Sequence, residues 1–289
     1  MKIRDRRENI VMQQDNNKFS IRLGEKDLFV EINGLAEQAN GSALVRYGDT
    51  MVLATAVMAK KEKPDQGFFP LMVDYEEKYY AAGKIKGPRF IKRETRPSDE
   101  AICNARQIDR SIRPLFDDRL KNEVQTIATV LSWDAENEPD ILSMFGISCS
   151  LTISDIPWNG PAASVRVGYL EGNYILNPTY DQRSKSEVDV VFAGIIRDGE
   201  VIANMIEGGF NEAQEEMILG AFRFAKLYIK QLIDFQLEIA KSVGKQKMTL
   251  KEPAFGADYE EELRKQLGTG LRDAIYQKEK SARVEAMIS

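Results

Sequence analysis

The sequence predicts an α+β fold, because strand patterns and helix patterns occur in groups and do not alternate strictly. Alternating apolar and polar residues fill most of the chain between residues 18 and 75. Helix-period patterns follow at 98–116, 139–154 and 211–242, with further strand patterns between them. A doubly wound sheet would need a helix after nearly every strand. The 289 residues suffice for one large or two small domains.

The first half of the chain is predicted to be rich in strands. Residues 1–17 are charged and lack an apolar core, so we expect a frayed leader that is not a signal peptide. Residues 18–34 alternate around a turn at Gly24 and predict a β-hairpin. Further predicted strands, in order, are 42–46, 51–58, 71–75 and 123–133.

The second half combines helices with two hairpins. Pro139 occupies a favoured first-turn position and opens a predicted helix to about residue 154. Hairpins are predicted over 162–176 and 188–207, and Asn211 is predicted to cap a helix ending near 242. Lys, Pro and Gly then replace the periodic pattern over 245–256, which is typical of a linker. Two helical segments are predicted beyond it, over 259–268 and 271–288.

A basic island stands out in an otherwise acidic chain. Between Lys84 and Arg113 there are nine Lys or Arg and four acids, a net charge of +5 in a chain whose net charge is −5. Such a local concentration of positive charge indicates an anionic partner. The island begins with a loop interrupted by Gly83, Gly87 and Pro88, and continues as a helix that Ser98 is placed to cap.

The helix of this island is predicted to pack by one face and to present cations on the other. Ala101, Ile108 and Ile112 share the apolar face, whereas Arg106, Arg110 and Arg113 fall within an arc of about 60° on the opposite side. Arginine suits phosphate because its planar fork donates two parallel hydrogen bonds. The arginines also allow a plainer interpretation, in which Arg106 and Arg110 pair with Asp109 or with other carboxylates.

The adjoining loop favours single-stranded RNA or another polyphosphate. Phe90, Lys92 and Arg93 lie side by side, and an aromatic ring beside cations is what a single strand requires for base stacking and phosphate neutralisation. We therefore predict RNA contacts at a set of seven residues: Phe90, Lys92, Arg93, Arg96, Arg106, Arg110 and Arg113.

At this point the sequence resembles a known family. The run FIKRETRPSDEAICNARQIDRSIRPLF is similar to the signature of the first RNase PH-like domain in the bacterial polynucleotide phosphorylase family. Three further blocks agree in order and spacing: GSALVRYGDTMVLATAVM, NEVQTIATVLSWD and PDILSMFGISCSLTISDIPWNGPAASVRVGY. The resemblance implies an RNase PH-like core, of the ribosomal protein S5 domain 2-like fold, over 18–244. It also implies that 245–289 begin an all-helical domain, and hence that the chain is a fragment of a longer protein.

The resemblance further implies an activity for the parent protein. The family degrades RNA from 3′ to 5′ to nucleoside diphosphates, using inorganic phosphate and Mg²⁺, as a ring-shaped homotrimer, and associates with RNA-degradation machinery. Against the family's pattern, Glu138-Pro139-Asp140 stands where a serine-rich turn cradles phosphate, and Arg183, Asp189 and Val191 stand where the motif has Asp, Asp and Lys. We therefore expect no catalytic residue and no metal ligand here, and a Mg²⁺ site outside this fragment.

The composition excludes several kinds of catalytic and metal site and also bears on location. The absence of histidine excludes Ser-His-Asp chemistry and His-ligated metal within the chain. No apolar run approaches the roughly 20 residues of a membrane helix. Cys103 and Cys149 are expected to be reduced core thiols. Together these features predict a cytoplasmic location and no membrane partner.

Two alternative functions remain open from the sequence. One is a free-standing, non-catalytic RNase PH-like RNA-binding subunit of an exosome-like ring, which differs from the first hypothesis in having no second RNase PH-like domain. The other is an enzyme of nucleotide metabolism that uses the arginine cluster on a small phosphate. The latter predicts tight mononucleotide binding and indifference to RNA length.

Overall fold

The α+β class is confirmed by a computed structural model, which describes residues 10–12, 17–63, 68–85, 87, 96–250 and 256–288. The chain divides into two compact units, Met1–Thr249 and Leu250–Ser289. The sequence placed the domain boundary after residue 244, whereas the larger unit in the structure keeps the next five residues as well.

The larger unit contains a seven-stranded sheet in the order β1-β2-β3-β4-β5-β7-β6. Its strands are β1 Ile10–Met12, β2 Lys18–Leu23, β3 Lys26–Ile32, β4 Gly41–Tyr47, β5 Thr50–Glu62, β6 Leu71–Glu77 and β7 Asn122–Ser132. Neighbouring strands are antiparallel except β6 and β7, which are parallel. Alternate residues of β2 to β5 and β7 are buried, as their period-2 patterns require.

The strand β1 corrects the prediction of a frayed leader at residues 10–12, whereas residues 1–9 and 13–16 of that segment lie outside the described part of the chain. Ile10–Met12 pairs antiparallel with β2, with Ile10 opposite Ile21 and Met12 opposite Phe19. Three residues are too short for a period-2 pattern to be detected in the sequence.

A second sheet of four antiparallel strands follows in the order β11-β10-β8-β9. Its strands are β8 Ala163–Leu170, β9 Asn173–Leu176, β10 Val188–Arg197 and β11 Glu200–Phe210. Both predicted hairpins are therefore confirmed. The first six residues of β8 are all buried, so this strand is enclosed on both faces.

Among the described residues, four α-helices belong to the larger unit and three to the smaller one. They are α1 Asp99–Ile112, α2 Pro139–Ile153, α3 Tyr180–Lys185 and α4 Glu215–Val243, then α5 Ala257–Leu267, α6 Gly270–Ile275 and α7 Lys280–Ile288. Within the described part of the chain, no helix combines the length and the apolarity that a membrane crossing demands.

The core of the larger unit is organised around α2, of which only Thr152 is not fully buried. This helix packs against β4, β5 and β7 of the first sheet, and against β8 and α4 on its other side. Gly146 permits the close approach to the first sheet, because a Cβ there would lie only 2.8 Å from the Cβ of Ala54.

The segment after α4 is part of this core and not a free linker. Lys247 Nζ donates to the carbonyls of Leu151, at 2.6 Å, and Ser154, at 2.8 Å, which belong to the C-terminal end of α2. The amide of Met248 donates to the carbonyl of Asp155 at 2.8 Å. The predicted linker over 245–256 is thus wrong at its N-terminal end, because these residues cap a helix whose last carbonyls lack intrahelical partners.

Most predicted helices are present in the structure, but several of them begin or end at residues other than those predicted. Ser98 caps α1 as predicted, since its Oγ accepts the Ala101 amide at 3.0 Å. Asn211 does not cap α4, because its amide extends the strand pairing to the Glu187 carbonyl, and Gln214 takes the cap position. The sequence reasoning missed α3, and its single helix over 271–288 is two helices in the structure.

Candidate functional site

Part of the predicted RNA-binding set lies outside the described residues. Phe90, Lys92 and Arg93 belong to this part, so their roles stay predictions. Arg96 and Arg106 are described and exposed, and neither has an ion-pair or hydrogen-bond partner among the described residues. These two guanidiniums remain available to an anionic partner.

The other two described arginines of the set, Arg110 on α1 and Arg113 directly after it, have partners within the chain. Arg110 Nη1 lies 2.6 Å from Glu207 Oε2 on β11, and this exposed pair allows Arg110 to exchange its partner for a phosphate at low cost. Arg113 contacts Asp109 at 2.8 Å and donates to the carbonyls of Phe69 and Leu71 at 3.3 and 3.2 Å. Arg113 therefore fastens the end of α1 to the start of β6, and its predicted RNA contact stays a prediction.

A second charged group lies where the resemblance placed the phosphate turn and the metal motif. We call it the ion-pair cluster: Glu138, Asp140, Arg166, Arg183 and Asp189. Glu138 and Asp140 come from the start of α2, Arg166 from β8, Arg183 from α3 and Asp189 from β10. Two strands of the second sheet and two helices therefore converge at this one point.

Arg166 is the centre of the ion-pair cluster. Its Nη2 contacts Asp140 Oδ2 at 2.8 Å, and its Nη1 donates to Asp189 Oδ1 at 2.9 Å. Its Nε lies 2.7 Å from Glu138 Oε2, close enough for ionic attraction but without the directional geometry of a hydrogen bond. Arg166 and Asp140 are both buried, so these contacts are shielded from water.

Arg183 closes the other side of the cluster. Its Nη1 contacts Glu138 Oε1 at 2.6 Å, and its Nη2 contacts Asp189 Oδ2 at 2.8 Å. Each carboxylate oxygen of Asp189 is thus held by a different arginine. Three carboxylates face two guanidiniums, so the cluster carries one net negative charge when every group is ionised.

Burial shapes the protonation of this cluster. Burial, together with the nearby Asp140, raises the pKa of Glu138 to about 7, against the lowering effect of Arg166 and Arg183. Burial alone would lower the pKa of Arg166, but the charges of Asp140, Glu138 and Asp189 raise it above its ordinary value. Arg166 therefore stays charged, whereas Glu138 can take up a proton near neutral pH.

The residues of the cluster do not fit Mg²⁺ or a phosphate cradle. A hard cation needs carboxylate oxygens that are free to coordinate, and here guanidinium groups contact all three carboxylates. Pro139 has no N–H to donate to a phosphate, and Glu138 and Asp140 flank it with negative charge. Among the described residues, no group of three or more Cys, Asp or Glu is arranged to hold a metal ion.

Sequence reasoning named Glu138, Asp140, Arg183 and Asp189 but missed Arg166. The available signal was an arginine within the apolar strand ASVRVGYL, because a buried charge in such a strand requires a partner. Asp189 was predicted to be a structural carboxylate at a strand end, and its contacts with Arg166 and Arg183 agree with that role.

An open cleft of about 880 Å³ lies beside the ion-pair cluster. It is bounded by the end of β6, the 3₁₀ turn Tyr79–Ala82, the start of α1, the end of β7 and the start of α2. We call it the aromatic cleft, because Tyr75, Tyr79, Trp133 and Tyr180 line it. Arg96 of the predicted RNA-binding set lies on its wall, and Glu138 belongs to both the cleft and the cluster.

The two cysteines are both free, but they differ in their surroundings. Cys149 is buried in α2 as predicted, and burial raises the pKa of its thiol to about 12. Cys103 is exposed on α1, so its prediction as a core thiol is wrong. It lies outside the apolar face formed by Ala101, Ile108 and Ile112.

Comparison with known proteins agrees with this architecture. Residues 24–157 match the family model described as the 3′ exoribonuclease family, domain 1, and residues 160–226 match domain 2 of the same family. Curated relatives named polyribonucleotide nucleotidyltransferase, from Bacillus cytotoxicus, Halalkalibacterium halodurans and Anoxybacillus flavithermus, are each 47% identical over 276 residues. Those alignments cover 96% of this chain and 38% of each relative, so the chain spans well under half of their length.

The fold is also similar to a solved structure. The crystal structure of rice (Oryza sativa) Rrp46 matches 73% of this chain and 92% of its own, with a TM-score of 0.57 and 16% sequence identity. At that identity the likeness concerns the fold alone. The two family models together cover most of the larger unit, in chain order and without overlap. The chain therefore belongs to the 3′ exoribonuclease family and has the RNase PH-like fold.

Proposed function

We propose that this chain is the RNA-guiding, non-catalytic first half of a phosphorolytic 3′-to-5′ exoribonuclease. The parent protein degrades RNA to nucleoside diphosphates with inorganic phosphate and Mg²⁺, in the cytoplasm. In this proposal the chain binds single-stranded RNA and helps to build a homotrimeric ring, and the phosphate and metal sites lie elsewhere in the parent protein.

The ion-pair cluster is the observation that carries the non-catalytic role. Phosphorolysis needs groups that stabilise negative charge as it develops on reacting phosphates. The two guanidiniums are instead occupied within the chain, since Arg166 and Arg183 each contact Glu138 and Asp189. Guanidiniums committed to buried carboxylates are not available to a phosphate, because removing one leaves uncompensated charge behind.

The RNA-guiding role rests on Arg96 and Arg106, which are exposed and without partners among the described residues. Cations that are free of internal partners can release counterions when they contact phosphates. Curated relatives that are 47% identical and named polyribonucleotide nucleotidyltransferase support a polyribonucleotide as the ligand.

The deciding experiment measures two properties of the 289-residue chain in one sample. Release of nucleoside diphosphate from poly(A) is followed with phosphate and Mg²⁺ present, and binding of poly(A) is followed by a filter assay. We expect binding without release. Phosphate-dependent release would overturn the non-catalytic role, and failure to bind poly(A) would overturn the RNA-guiding role.

A control variant shows whether weaker poly(A) binding is specific to the assigned surface. Arg197 is exposed at the end of β10 and lies outside the basic island. Arg197→Ala is therefore expected to bind poly(A) like the unaltered chain, whereas Arg96→Ala combined with Arg106→Ala is expected to bind it more weakly. Equal weakening by both changes would indicate charge loss alone, and would contradict the assigned surface.

A further inference from the structure

The aromatic cleft has the size and composition of a small-ligand site. Its volume of about 880 Å³ lies within the range of roughly 300–1,000 Å³ that is typical of such pockets. Its lining combines aromatic rings with a few charged groups, and the groups that carry the argument are Tyr75, Trp133, Tyr180, Lys84, Arg96 and Glu77.

Two of its aromatic side chains are partly exposed. Trp133, just after β7, and Tyr180, at the start of α3, are each a little over one third exposed. Their ring centroids lie 5.9 Å apart with planes at 85°, so the pair forms a corner and not a closed stack. A corner of two rings leaves one face of each free for a planar heterocycle.

The backbone and the ion-pair cluster hold this corner in place. The amide of Trp133 donates to the carbonyl of Ala81 at 3.0 Å, which ties the end of β7 to the 3₁₀ turn. Arg183 lies over the Tyr180 ring, with its Cζ 5.7 Å from the centroid, and the cluster in turn holds Arg183. The surface is therefore fixed before any ligand arrives, which lowers the entropic cost of binding.

A buried hydroxyl in the cleft lining points to a ligand. Tyr75 is 2% exposed, and its hydroxyl makes no hydrogen bond of regular geometry within the described part of the chain. Burial raises the pKa of Tyr75, with smaller contributions from Asp140 and Glu77, so the hydroxyl keeps its proton. The hydroxyl lies near the Glu77 carboxylate, whose pKa it lowers, and its capacity for regular hydrogen bonds stays unfilled among the described residues, so it offers a polar contact to a ligand.

The cleft carries both cations, which suit a phosphate, and carboxylates, which suit amino groups. Lys84 and Arg96 are exposed on the wall and suit a single phosphate. Glu77 lies at the end of β6 beside the start of α1, where its Oε2 accepts the Ser98 hydroxyl at 3.3 Å. Carboxylates in the lining favour amino groups and oppose a highly charged polyphosphate.

From these features we infer that the aromatic cleft binds one nucleoside monophosphate unit, with its base against Trp133 and Tyr180, a polar edge of the base at Tyr75, and its phosphate near Lys84 and Arg96. The inference rests on the proposed function for the RNA source of that unit, since an unstacked nucleotide of a bound strand and a free mononucleotide offer the same chemistry.

Tryptophan fluorescence provides a direct readout, because the chain has two tryptophans and Trp158 is buried. Adenosine 5′-monophosphate, ribose 5-phosphate and a ten-nucleotide oligo(A) are each titrated into the full chain. We expect the two base-containing probes to quench the emission and ribose 5-phosphate to leave it unchanged. Quenching by the mononucleotide identifies a free nucleotide as sufficient, and quenching by the oligonucleotide alone identifies an RNA strand as the source.

Variants separate the cleft from the rest of the surface. Trp133→Phe is expected to abolish the quenching, and Tyr180→Ala is expected to weaken binding roughly tenfold, as for loss of one stacked base. Tyr75→Phe removes only the hydroxyl, and is expected to weaken binding without lowering the unfolding midpoint. Phe210→Ala, on the exposed end of β11, is the control and is expected to bind like the unaltered chain.

The inference is overturned if ribose 5-phosphate quenches as strongly as the mononucleotide, or if no probe quenches the emission. It is also overturned if Phe210→Ala weakens binding as much as Tyr180→Ala. These outcomes are separable from failure of the proposed function, because poly(A) binding through Arg106, which is not part of the cleft lining, is measured independently by its dependence on salt.

Discussion

Arg183 contacts a single carboxylate oxygen of Asp189 through both Nε and Nη2, at 2.9 and 2.8 Å. The two residues are six positions apart and belong to different elements, α3 and β10. The short helix α3 therefore places a cation where the family's motif, by resemblance, has an acid. The acid-to-arginine exchange turns a position suited to a metal ion into an internal ion pair.

Removing the centre of the ion-pair cluster should destabilise the protein strongly. Arg166→Met leaves the buried Asp140 and the partly buried Glu138 and Asp189 with only Arg183 to balance them, and breaking a buried ion pair costs about 3–5 kcal/mol. Urea unfolding of the full chain measures this cost. Arg110→Met is the matched control, because its pair with Glu207 is more than half exposed and should contribute less than about 1 kcal/mol. Equal losses in the two variants would argue against a buried network.

The protonation of Glu138 should make stability depend on pH in a defined direction. Burial raises the pKa of Glu138 from near 4.5 in the unfolded chain to about 7 in the folded protein. Between these values the folded state binds more protons, so this group's contribution to stability falls as pH rises from 4.5 through 7. Glu138→Gln removes that contribution.

The check compares unfolding midpoints of the unaltered chain and Glu138→Gln from pH 4.5 to 7.5. The difference between the two curves should change across this window and level off above it. A difference that stays constant over the whole range would mean that Glu138 has the same pKa in both states.

The salt dependence of poly(A) binding should identify which cations contact the RNA. Each phosphate contact in a single strand contributes about −0.7 to the slope of log K against log salt concentration. Arg96→Ala combined with Arg106→Ala should therefore make the slope for poly(A) shallower by about 1.4. The same loss is expected for Lys92→Ala combined with Arg93→Ala, at residues outside the described part. An unchanged slope in either double variant would remove that pair from the interface.

The cap of α1 should make a modest, local contribution to stability. Ser98 Oγ accepts the Ala101 amide and donates to Glu77, so Ser98→Ala removes a helix cap worth about 1 kcal/mol. Ser184→Ala serves as the comparison, because its exposed hydroxyl donates to the Asp181 carbonyl within α3 and has no other partner among the described residues. Urea unfolding should separate the two variants, and an effect of Ser184→Ala as large as that of Ser98→Ala would contradict the capping argument.

The sequence predicted the elements whose signals are local. The hairpin of β2 and β3 follows from strict alternation, and the start of α1 follows from Ser98 and the acids after it. The start of α4 was misplaced because Asn211 is a good cap in isolation, while its backbone continues the pairing of β11. Local propensity lost there to strand pairing.

The pairings between distant segments were beyond the reach of local patterns. No local pattern in β6 indicates that this strand pairs parallel to β7, from which α1 separates it along the chain. The cluster shows the same limit, since Arg166 and Asp140 are 26 positions apart and meet only after β8 packs on α2. Motif comparison identified the positions that had changed, and only the fold showed that the changed residues bind one another.

The hydrogen bonds of Lys247 to the C-terminal end of α2 have a practical consequence. A protein shortened after Gly244, where the sequence alone suggests a division, would lose Lys247, which donates to the carbonyls of Leu151 and Ser154; Leu151 would then keep only the Ser154 hydroxyl as a side-chain donor among the described residues. Those carbonyls end the most buried helix of the molecule's larger unit, so the damage would reach the interior. The two units are better separated after Thr249, because residues 245–249 then stay with α2, whose C-terminal end they cap.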